Sequence, residues 1–271
     1  IISCAELERN HIGLPRGCLD EANTLLLSLG AEPIIEDLRV EGASLPEGTI
    51  FRGELRPAQQ RAFSNLKQND FGVLAATTAF GKTVLAAALI AERARNTLIL
   101  VHRRELLTQW VERLKSFLDF DPKLIGTIGG GRKRPTGVVD VALIQSLVRR
   151  GEVADLVADY GHIVVDECHH LSAASFELVA RRAKAKYVLG LSATVARKDG
   201  HHPIIFMQCG PVRHRVDART QAAERGMAHK VVERQTTFRL PPSLASEPRI
   251  VMPALYAALA ADTARNDLIF D

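Results

Sequence analysis

The amino-acid sequence predicts an α/β fold built on a doubly wound parallel sheet, preceded by a small N-terminal accessory unit. Short apolar runs typical of buried strands alternate with longer amphipathic segments typical of helices. One apolar run, which reaches Ala76, continues through a loop of small residues directly into a helix. Polar side chains follow the ends of several predicted strands. The carboxyl ends of parallel strands share one edge of a sheet, so we expect these side chains to gather there.

The composition indicates a globular chain with an uneven charge. Its 271 residues are 46% hydrophobic and carry a net charge of +4, yet residues 1–50 are acidic and residues 51–271 are basic. A basic body suits a polyanionic partner, although such an excess is also common on solvated surfaces. The four cysteines lack CxxC spacing, which favours a reduced, cytoplasmic setting, and no membrane span is expected. Because the chain begins with Ile1, we expect it to be part of a longer protein.

The first part of the chain, residues 1–50, is predicted to form the accessory unit. A helix is expected over Leu19–Leu29 and a strand over Pro33–Val40. A second helix is expected over Pro57–Gln68, with proline in its first turn. Gln59 on that helix precedes the small-residue loop, where its amide could read an adenine edge. The alternative is that Gln59 belongs to a polar helix surface.

The segment Gly72–Val84 combines a buried strand, a tight loop of small residues and the start of a helix. Such a turn directs several backbone N–H groups and the positive end of a helix dipole at one point, which favours a bound phosphate. Lys82 adds a cation for the β- and γ-phosphates, and Thr83 adds a hydroxyl for Mg²⁺. The alternative is an ordinary strand-to-helix turn that happens to contain Gly-Lys-Thr.

A second signal far downstream favours the phosphate interpretation. The apolar strand Ile163–Val165 ends in two adjacent carboxylates, Asp166 and Glu167. Paired carboxylates opposite a phosphate loop can hold Mg²⁺ and activate a water molecule.

The remaining predicted strands and helices place further polar residues at the same edge. These elements are helix Thr83–Arg93, strand Thr97–His102, helix Arg103–Leu118, strand Val138–Ile144, helix Ala173–Ala185 and strand Tyr187–Leu191. Arg103 and Arg104 stand at a helix N-terminus, where a nucleic-acid phosphate would compensate their charge. Gln145 and Ser146 follow a later strand and can hold a phosphodiester. Trp110 lies on an apolar helix face and is expected in the core rather than as a stacking platform.

Two features leave alternatives open. The glycines of residues 129–131 and the basic residues 132–134 predict either a flexible solvated loop or a loop that contacts a nucleic-acid backbone. Structural zinc is a minor third possibility, since no paired ligand spacing recurs. The side chains that raise it are Cys168, His169, His170, His201, His202 and Cys209.

With these residues in place, the chain resembles the first RecA-like motor domain of superfamily 2 helicases of the DExH type, closest to the XPB-like and restriction-translocase branches. The resemblance covers about residues 55–200. The matching segments are Leu55–Gln59 (adenine-reading segment), Ala76–Thr83 (motif I), Leu100–Gln109 (motif Ia), Gln145–Ser146 (part of the later strand-contacting motifs), Asp166–His169 (motif II, as DECH) and Ser192–Thr194 (motif III).

The resemblance implies an ATP-dependent DNA helicase or translocase with ATP and Mg²⁺ as cofactors and nucleic acid, expected to be DNA, as partner. It assigns catalysis to Lys82, Asp166 and Glu167. The implied nucleotide contacts are Gln59, Thr78, Ala79, Phe80, Gly81, Lys82 and Thr83. The implied Mg²⁺ ligands are Thr83 and Asp166, the implied nucleic-acid contacts are Arg103, Arg104, Gln145 and Ser146, and the implied coupling residues are His169, Ser192 and Thr194. The alternative function is a nucleotide-dependent nucleic-acid sensor or scaffold module of a defence or restriction complex, without unwinding.

The chain departs from the family pattern in two respects. Ala79 stands where motif I usually has glycine, so the loop is expected to avoid the left-handed backbone conformation there. Motifs IV to VI, which belong to a second RecA-like domain and supply arginine fingers, are not found. We therefore expect an accessory unit over residues 1–50, a first RecA-like domain over 51–238, and a linker with the start of a second RecA-like domain over 239–271. Alone, the chain is expected to hydrolyse ATP barely.

Overall fold

Strands and helices alternate along the computed structural model, which describes residues 4–170, 173–193, 202–216, 233–245 and 251–270. The strands in these ranges are β1 (Glu6–Leu7), β2 (Ile12–Gly13), β3 (Ile50–Phe51), β4 (Phe71–Ala76), β5 (Thr97–Val101), β6 (Leu118–Asp119), β7 (Ile125–Gly129), β8 (Arg132–Arg134), β9 (Val139–Leu143), β10 (Val148–Arg149), β11 (Glu152–Val153), β12 (His162–Val165), β13 (Tyr187–Ser192) and β14 (Val212–Val216). The α-helices are α1 (Leu19–Ser28), α2 (Pro57–Lys67), α3 (Lys82–Arg93), α4 (Arg104–Phe117), α5 (Ile144–Leu147), α6 (Ala173–Arg182), α7 (His202–Cys209), α8 (Pro242–Ala245), α9 (Met252–Ala261) and α10 (Thr263–Phe270).

One eight-stranded sheet organises the larger part of the chain. Its strands follow the order β14-β4-β13-β12-β5-β9-β7-β8. All neighbouring pairs are parallel except β7 and β8. The predicted doubly wound parallel sheet is therefore confirmed. The carboxyl ends of β4, β13, β12, β5 and β9 lie side by side at one edge, as the polar residues after them predicted.

Both faces of the sheet are apolar because successive residues of each strand point to opposite faces. Leu74, Ile99 and Val164 belong to the buried cluster that also contains residues of α2, α3 and α4. Val73 and Leu98 belong to the second cluster, which contains residues of α6 and α7. Helices thus cover the sheet on both sides, and the apolar runs without polar alternation are strands that are buried on both faces.

One predicted strand is wrong. No strand forms over Pro33–Val40, where only Val40 makes an isolated parallel bridge to Ala185. Ile34 is 99% exposed and Ile35 is also exposed, so these apolar residues do not face a core. A strand needs a partner edge to satisfy its backbone groups, and the sequence does not show whether one is available.

The glycine run that suggested a loop is the turn of a hairpin. β7 and β8 pair antiparallel, with Gly129 opposite Arg132 and Ile128 opposite Lys133. Gly129, Gly130 and Gly131 all have positive φ, which allows the chain to reverse there. The basic residues 132–134 therefore form an ordered edge strand rather than a flexible loop.

Residues of the first fifty contact the sheet domain through hydrogen bonds. The Arg16 guanidinium donates to the backbone oxygens of Ala183 and Ala185, both at 2.6 Å. Burial lowers the pKa of Arg16 to about 10. The Asn96 side-chain oxygen accepts from the backbone N–H groups of Ala43, at 3.0 Å, and Gly161, at 2.9 Å. These contacts join the acidic segment to the edge of the sheet opposite the predicted site.

The chain divides into two compact units, residues 1–221 and 222–271. In the second unit α8, α9 and α10 carry the described regular structure, and the Arg234 guanidinium donates to the backbone oxygen of Leu268 at 2.7 Å. The predicted domain boundaries at residues 50 and 238 stay predictions. None of the helices in the described ranges is long and apolar enough to cross a membrane.

A buried histidine at the start of β12 is held in its neutral form. His162 is fully buried, and its Nε2 lies 2.8 Å from Nη1 of Arg93, which can only donate. Its Nδ1 therefore carries the proton and faces Thr97 Oγ1 at 3.3 Å. Burial, and to a lesser extent the charge of Arg93, lower the pKa of His162 well below its ordinary value.

This histidine predicts a loss of stability in mild acid. Below about pH 6.5 the unfolded chain binds a proton at His162 and the folded chain does not, so the free energy of unfolding falls by up to about 1.4 kcal/mol per pH unit. Urea unfolding of wild type and His162→Gln between pH 7.5 and 5.5 measures this, and the variant should have the flatter pH dependence. His11→Gln removes an exposed histidine and should keep the wild-type slope. Equal slopes for wild type and His162→Gln would contradict the assignment.

Candidate functional site

The predicted phosphate loop connects β4 to α3 over residues 77–81. Gly81, the last loop residue, has φ of 90°, and a Cβ there would lie 2.4 Å from Nε2 of Gln59. Only glycine meets both constraints. The backbone therefore turns sharply into α3, whose first residue is Lys82, and the positive end of the helix dipole faces the loop.

The expectation for Ala79 is wrong, because this residue adopts the left-handed conformation with φ of 64°. The backbone of an L-residue in this region costs about 1–2 kcal/mol. The path of the loop imposes this conformation on an exposed alanine. The loop thus keeps the path that glycine would allow without having glycine at this position.

The phosphate loop is held in place by a buried apolar side chain and by hydrogen bonds from Gln59 and Arg56. Phe80 is 1% exposed and belongs to the core cluster of α2, α3 and α4. Its backbone oxygen accepts a hydrogen bond from Gln59 Nε2 at 2.9 Å and another from the Arg56 guanidinium. Gln59 Oε1 accepts from the backbone N–H of Arg56 at 2.9 Å. Both amide atoms of Gln59 thus have partners in the chain, and its role in reading adenine stays a prediction.

Lys82 joins the phosphate loop to the predicted carboxylate pair. Its Nζ lies 3.0 Å from Oε1 of Glu167 and donates to the backbone oxygen of Ala76 at 3.2 Å. Lys82 is only 9% exposed, so its charge lies in a partly dry environment where ionic attraction is stronger than in water. Glu167 has a φ of 45°, an uncommon backbone conformation for a non-glycine residue at the end of a strand.

Asp166 is fixed by two donors. Its Oδ2 accepts from Trp110 Nε1 at 2.8 Å, and its Oδ1 accepts from the backbone N–H of Glu167 at 3.0 Å. Burial raises the pKa of Asp166 above its ordinary value, against the opposing effects of the Trp110 hydrogen bond and the Lys82 charge. Trp110 is in the core, as expected, but its hydrogen bond to this carboxylate was not predicted.

A further contact links the ends of β12 and β13. Glu167 Oε2 lies 3.3 Å from Nδ1 of His169, and the same nitrogen lies 2.9 Å from the Ser192 hydroxyl. The backbone N–H of Ala193 approaches Glu167 Oε2 at 3.4 Å. Of the three predicted coupling residues, His169 therefore contacts the carboxylate pair, Ser192 contacts His169, and Thr194 lies outside the described residues.

The predicted nucleic-acid contacts lie at the ends of β5 and β9. Arg103, Arg104, Gln145 and Ser146 are all exposed. Gln145 Nε2 donates to the backbone oxygen of His102 at 3.3 Å, which joins the two strand ends. Arg104 lies against the β7–β8 turn, since a Cβ on Gly130 would be 3.1 Å from Arg104 Nε. The tertiary fold thus brings Arg104 close to the hairpin.

The donor set fits Mg²⁺ and a nucleotide. Asp166 offers carboxylate oxygens and the half-buried Thr83 offers a hydroxyl, which are the ligand types that Mg²⁺ prefers. Lys82 supplies the cation expected beside the phosphates. The zinc alternative finds no support in the described part of the chain, where no three His, Cys, Asp or Glu side chains form a group able to hold a metal.

Sequence reasoning did not predict the contacts that Arg56 and Trp110 make at the site. Arg56 precedes α2 with Gln59 three helical positions on, a spacing typical of a capping box, so a local signal was present. Trp110 had no such signal, because its partner Asp166 lies on a strand far along the chain.

The sheet order and the loop at its carboxyl edge define a nucleotide-binding domain of the RecA-like α/β class. A family model described as "Type III restriction enzyme, res subunit" matches residues 52–197. The chain belongs to this family. The resemblance to the first RecA-like domain of superfamily 2 helicases, in the XPB-like branch, is confirmed by the same match and by the relatives below.

Two relatives illustrate the similarity in sequence. The chain is 33% identical over 162 residues to the DNA 3'-5' translocase XPB2 of Sulfurisphaera tokodaii, which covers 60% of this chain and 36% of the relative. It is 34% identical over 201 residues to the DNA 3'-5' helicase XPB of Mycobacterium tuberculosis, which covers 70% of this chain and 36% of the relative. The chain thus spans little more than a third of the length of these relatives.

A solved structure confirms the fold. The UvsW helicase from bacteriophage T4 matches 77% of this chain and 81% of its own with a TM-score of 0.60 and 21% sequence identity. At this identity the match supports the architecture and not the activity.

Proposed function

We propose that this chain is the nucleotide-binding half of an ATP-dependent DNA helicase or translocase. The observation that carries the proposal is the contact of Lys82 Nζ with Glu167 Oε1 at 3.0 Å. It joins a phosphate loop of the Walker A type to the acidic pair of a DExH box, two segments that are far apart in the sequence. A helicase motor requires these two segments at one site, because one binds the phosphates and the other activates water.

The site residues would have three roles, which are charge stabilisation, metal binding and general-base catalysis. Thr83 and Asp166 would hold Mg²⁺, which when bound neutralises phosphate charge. Lys82 would stabilise charge that develops on the γ-phosphate. Glu167 would orient the attacking water and accept its proton, and the Ala193 N–H near Oε2 helps to hold its carboxylate. The contact of His169 with Glu167, and that of Ser192 with His169, provide a route by which the nucleotide state could reach the nucleic-acid contacts.

A second RecA-like domain would complete the cleft with an arginine. Phosphoryl transfer gains about 10³–10⁵ in rate from an arginine finger. One internal arginine, Arg213 on β14, donates to the backbone oxygen of Phe71 at 3.2 Å. Phe71 begins β4, whereas the phosphate loop follows its last residue, so Arg213 is bound at the opposite end of that strand.

The nucleic-acid path would run along Arg103, Arg104, Gln145 and Ser146. These exposed side chains offer charge and hydrogen bonds suited to a phosphate backbone. The edge strand β8, which carries the basic residues 132–134, is separated from β9 only by β7 in the sheet and would extend this path.

We also place the protein in a reduced, cytoplasmic setting, since its four cysteines are free thiols.

Neutralising Arg103 and Arg104 should weaken DNA binding equally for all sequences. Each lost phosphate contact should reduce the slope of log affinity against log salt by about one unit. Fluorescence anisotropy of two unrelated DNA sequences between 50 and 300 mM salt measures this for an Arg103→Gln, Arg104→Gln double variant. The control is Arg182→Gln, which removes an exposed arginine of α6 that is paired with Asp155. This variant should keep the wild-type slope. A changed sequence preference would indicate base readout and contradict the path.

The experiment that tests the proposal is ATP hydrolysis by the full-length protein with single-stranded DNA, duplex DNA and RNA compared side by side. A motor on DNA should be stimulated by DNA and should move on or unwind it in a strand-displacement assay. Nucleotide binding without stimulated turnover would favour a nucleic-acid sensor or scaffold.

A further inference from the structure

The Trp110 indole and the Asp166 carboxylate form a buried pair beneath the candidate site. Trp110 is 1% exposed and Asp166 is 7% exposed, and Nε1 donates to Oδ2 at 2.8 Å. Trp110 lies near the middle of α4, and Asp166 follows β12, so the bond ties a helix on one face of the sheet to the end of a central strand. A charged acceptor in a dry environment makes this a strong hydrogen bond.

We propose that Trp110 is a positioning residue that orients the Asp166 carboxylate for Mg²⁺. This inference rests on the proposed function of the site. The indole N–H occupies one lone pair of Oδ2, and the Glu167 backbone N–H occupies one lone pair of Oδ1. With one donor on each oxygen the carboxylate cannot rotate freely, so its remaining lone pairs keep fixed directions. Hydrogen bonds from outside the ligand set typically affect metal affinity by 10–100-fold.

Core packing alone would not require a tryptophan. Trp110 belongs to an apolar cluster with Leu107 and Leu114, where leucine or phenylalanine would supply apolar area without an N–H group that needs a partner. The N–H finds its partner in the one carboxylate that the site needs for metal. The packing and the polar contact are separate features of the same side chain, so they can be tested separately.

Because the chain contains a single tryptophan, it can be replaced at this position alone by 3-benzothienylalanine, which keeps the shape and has sulfur in place of N–H. Binding of a fluorescent ADP analogue to the 271-residue chain is then measured against Mg²⁺ concentration. We expect the Mg²⁺ concentration for half-maximal binding to rise about tenfold. Trp110→Phe should raise the Mg²⁺ concentration for half-maximal binding to a similar extent. A second readout is NMR of the wild-type chain and Asp166→Asn, in which the single indole N–H resonance should shift.

The matched control is Tyr160→Phe. Tyr160 also donates from a buried aromatic ring to a buried carboxylate, that of Asp140, but this pair lies away from the site. Its loss should lower thermal stability and leave the Mg²⁺ requirement unchanged. An unchanged Mg²⁺ requirement without the indole N–H, an equal rise in Tyr160→Phe, or an indole resonance that ignores Asp166→Asn would each overturn the inference. Wild-type chain without any Mg²⁺-dependent nucleotide binding would instead overturn the proposed function, and the inference with it.

Discussion

Lys82→Ala in the full-length protein is expected to abolish ATP hydrolysis, by at least about 10²–10³-fold, because preorganised charge at a reacting group typically contributes this much. Lys82 is the only cationic side chain between Ala76 and Thr83. It is nearly buried. Steady-state hydrolysis with saturating DNA measures the effect.

The control for Lys82 is a second lysine–glutamate pair, between α2 and α3. Lys67 Nζ lies 2.5 Å from Oε1 of Glu92, on exposed parts of α2 and α3. Lys67→Ala should leave hydrolysis at the wild-type rate, because exposed ion pairs contribute little and this one lies outside the loop. Since Lys82→Ala removes the ion pair with Glu167, thermal unfolding of both variants is needed to show that the fold persists. A near-normal rate of ATP hydrolysis by folded Lys82→Ala would contradict the proposal that this protein is a motor.

Glu167→Gln should bind ATP and fail to hydrolyse it. The amide has the size of the carboxylate and cannot accept a proton, so the rate should fall by about 10²–10⁴-fold, the usual contribution of a general base. Nucleotide affinity should be retained or increased, since the Lys82 ammonium loses a competing anion at 3.0 Å. Single-turnover hydrolysis together with equilibrium binding of ATP separates the two effects.

A matched control is Glu177→Gln. Glu177 is also largely buried and pairs with Arg181 at 2.6 Å, but it lies on α6. Its substitution should lower stability and leave the rate per folded molecule unchanged. If Glu167→Gln hydrolysed ATP as fast as wild type, the general base would have to be assigned to another residue.

Local patterns were sufficient for the parts of the fold that depend on neighbouring residues. Strands β4, β5, β12 and β13 are predicted within a few residues, because runs that are buried on both faces are recognisable in sequence. The failed strand at 33–40 has the same kind of apolar residues, but its only strand-like pairing is the isolated bridge of Val40 to Ala185. Ala79 shows a second limit, since its left-handed conformation is imposed by the path of the loop and not by its own preference.

By itself, the sequence determined that this protein has a parallel sheet, a phosphate loop after one strand and an acidic pair after another. Those features are encoded in short segments, where side-chain alternation and residue size act locally. Only the tertiary structure decided which of them meet. The pairing of Lys82 with Glu167 requires that β13 alone lie between β4 and β12, and the bond from Trp110 to Asp166 requires that α4 cover the end of β12. Strand order and helix placement follow from packing of the whole core, so no local pattern contains them.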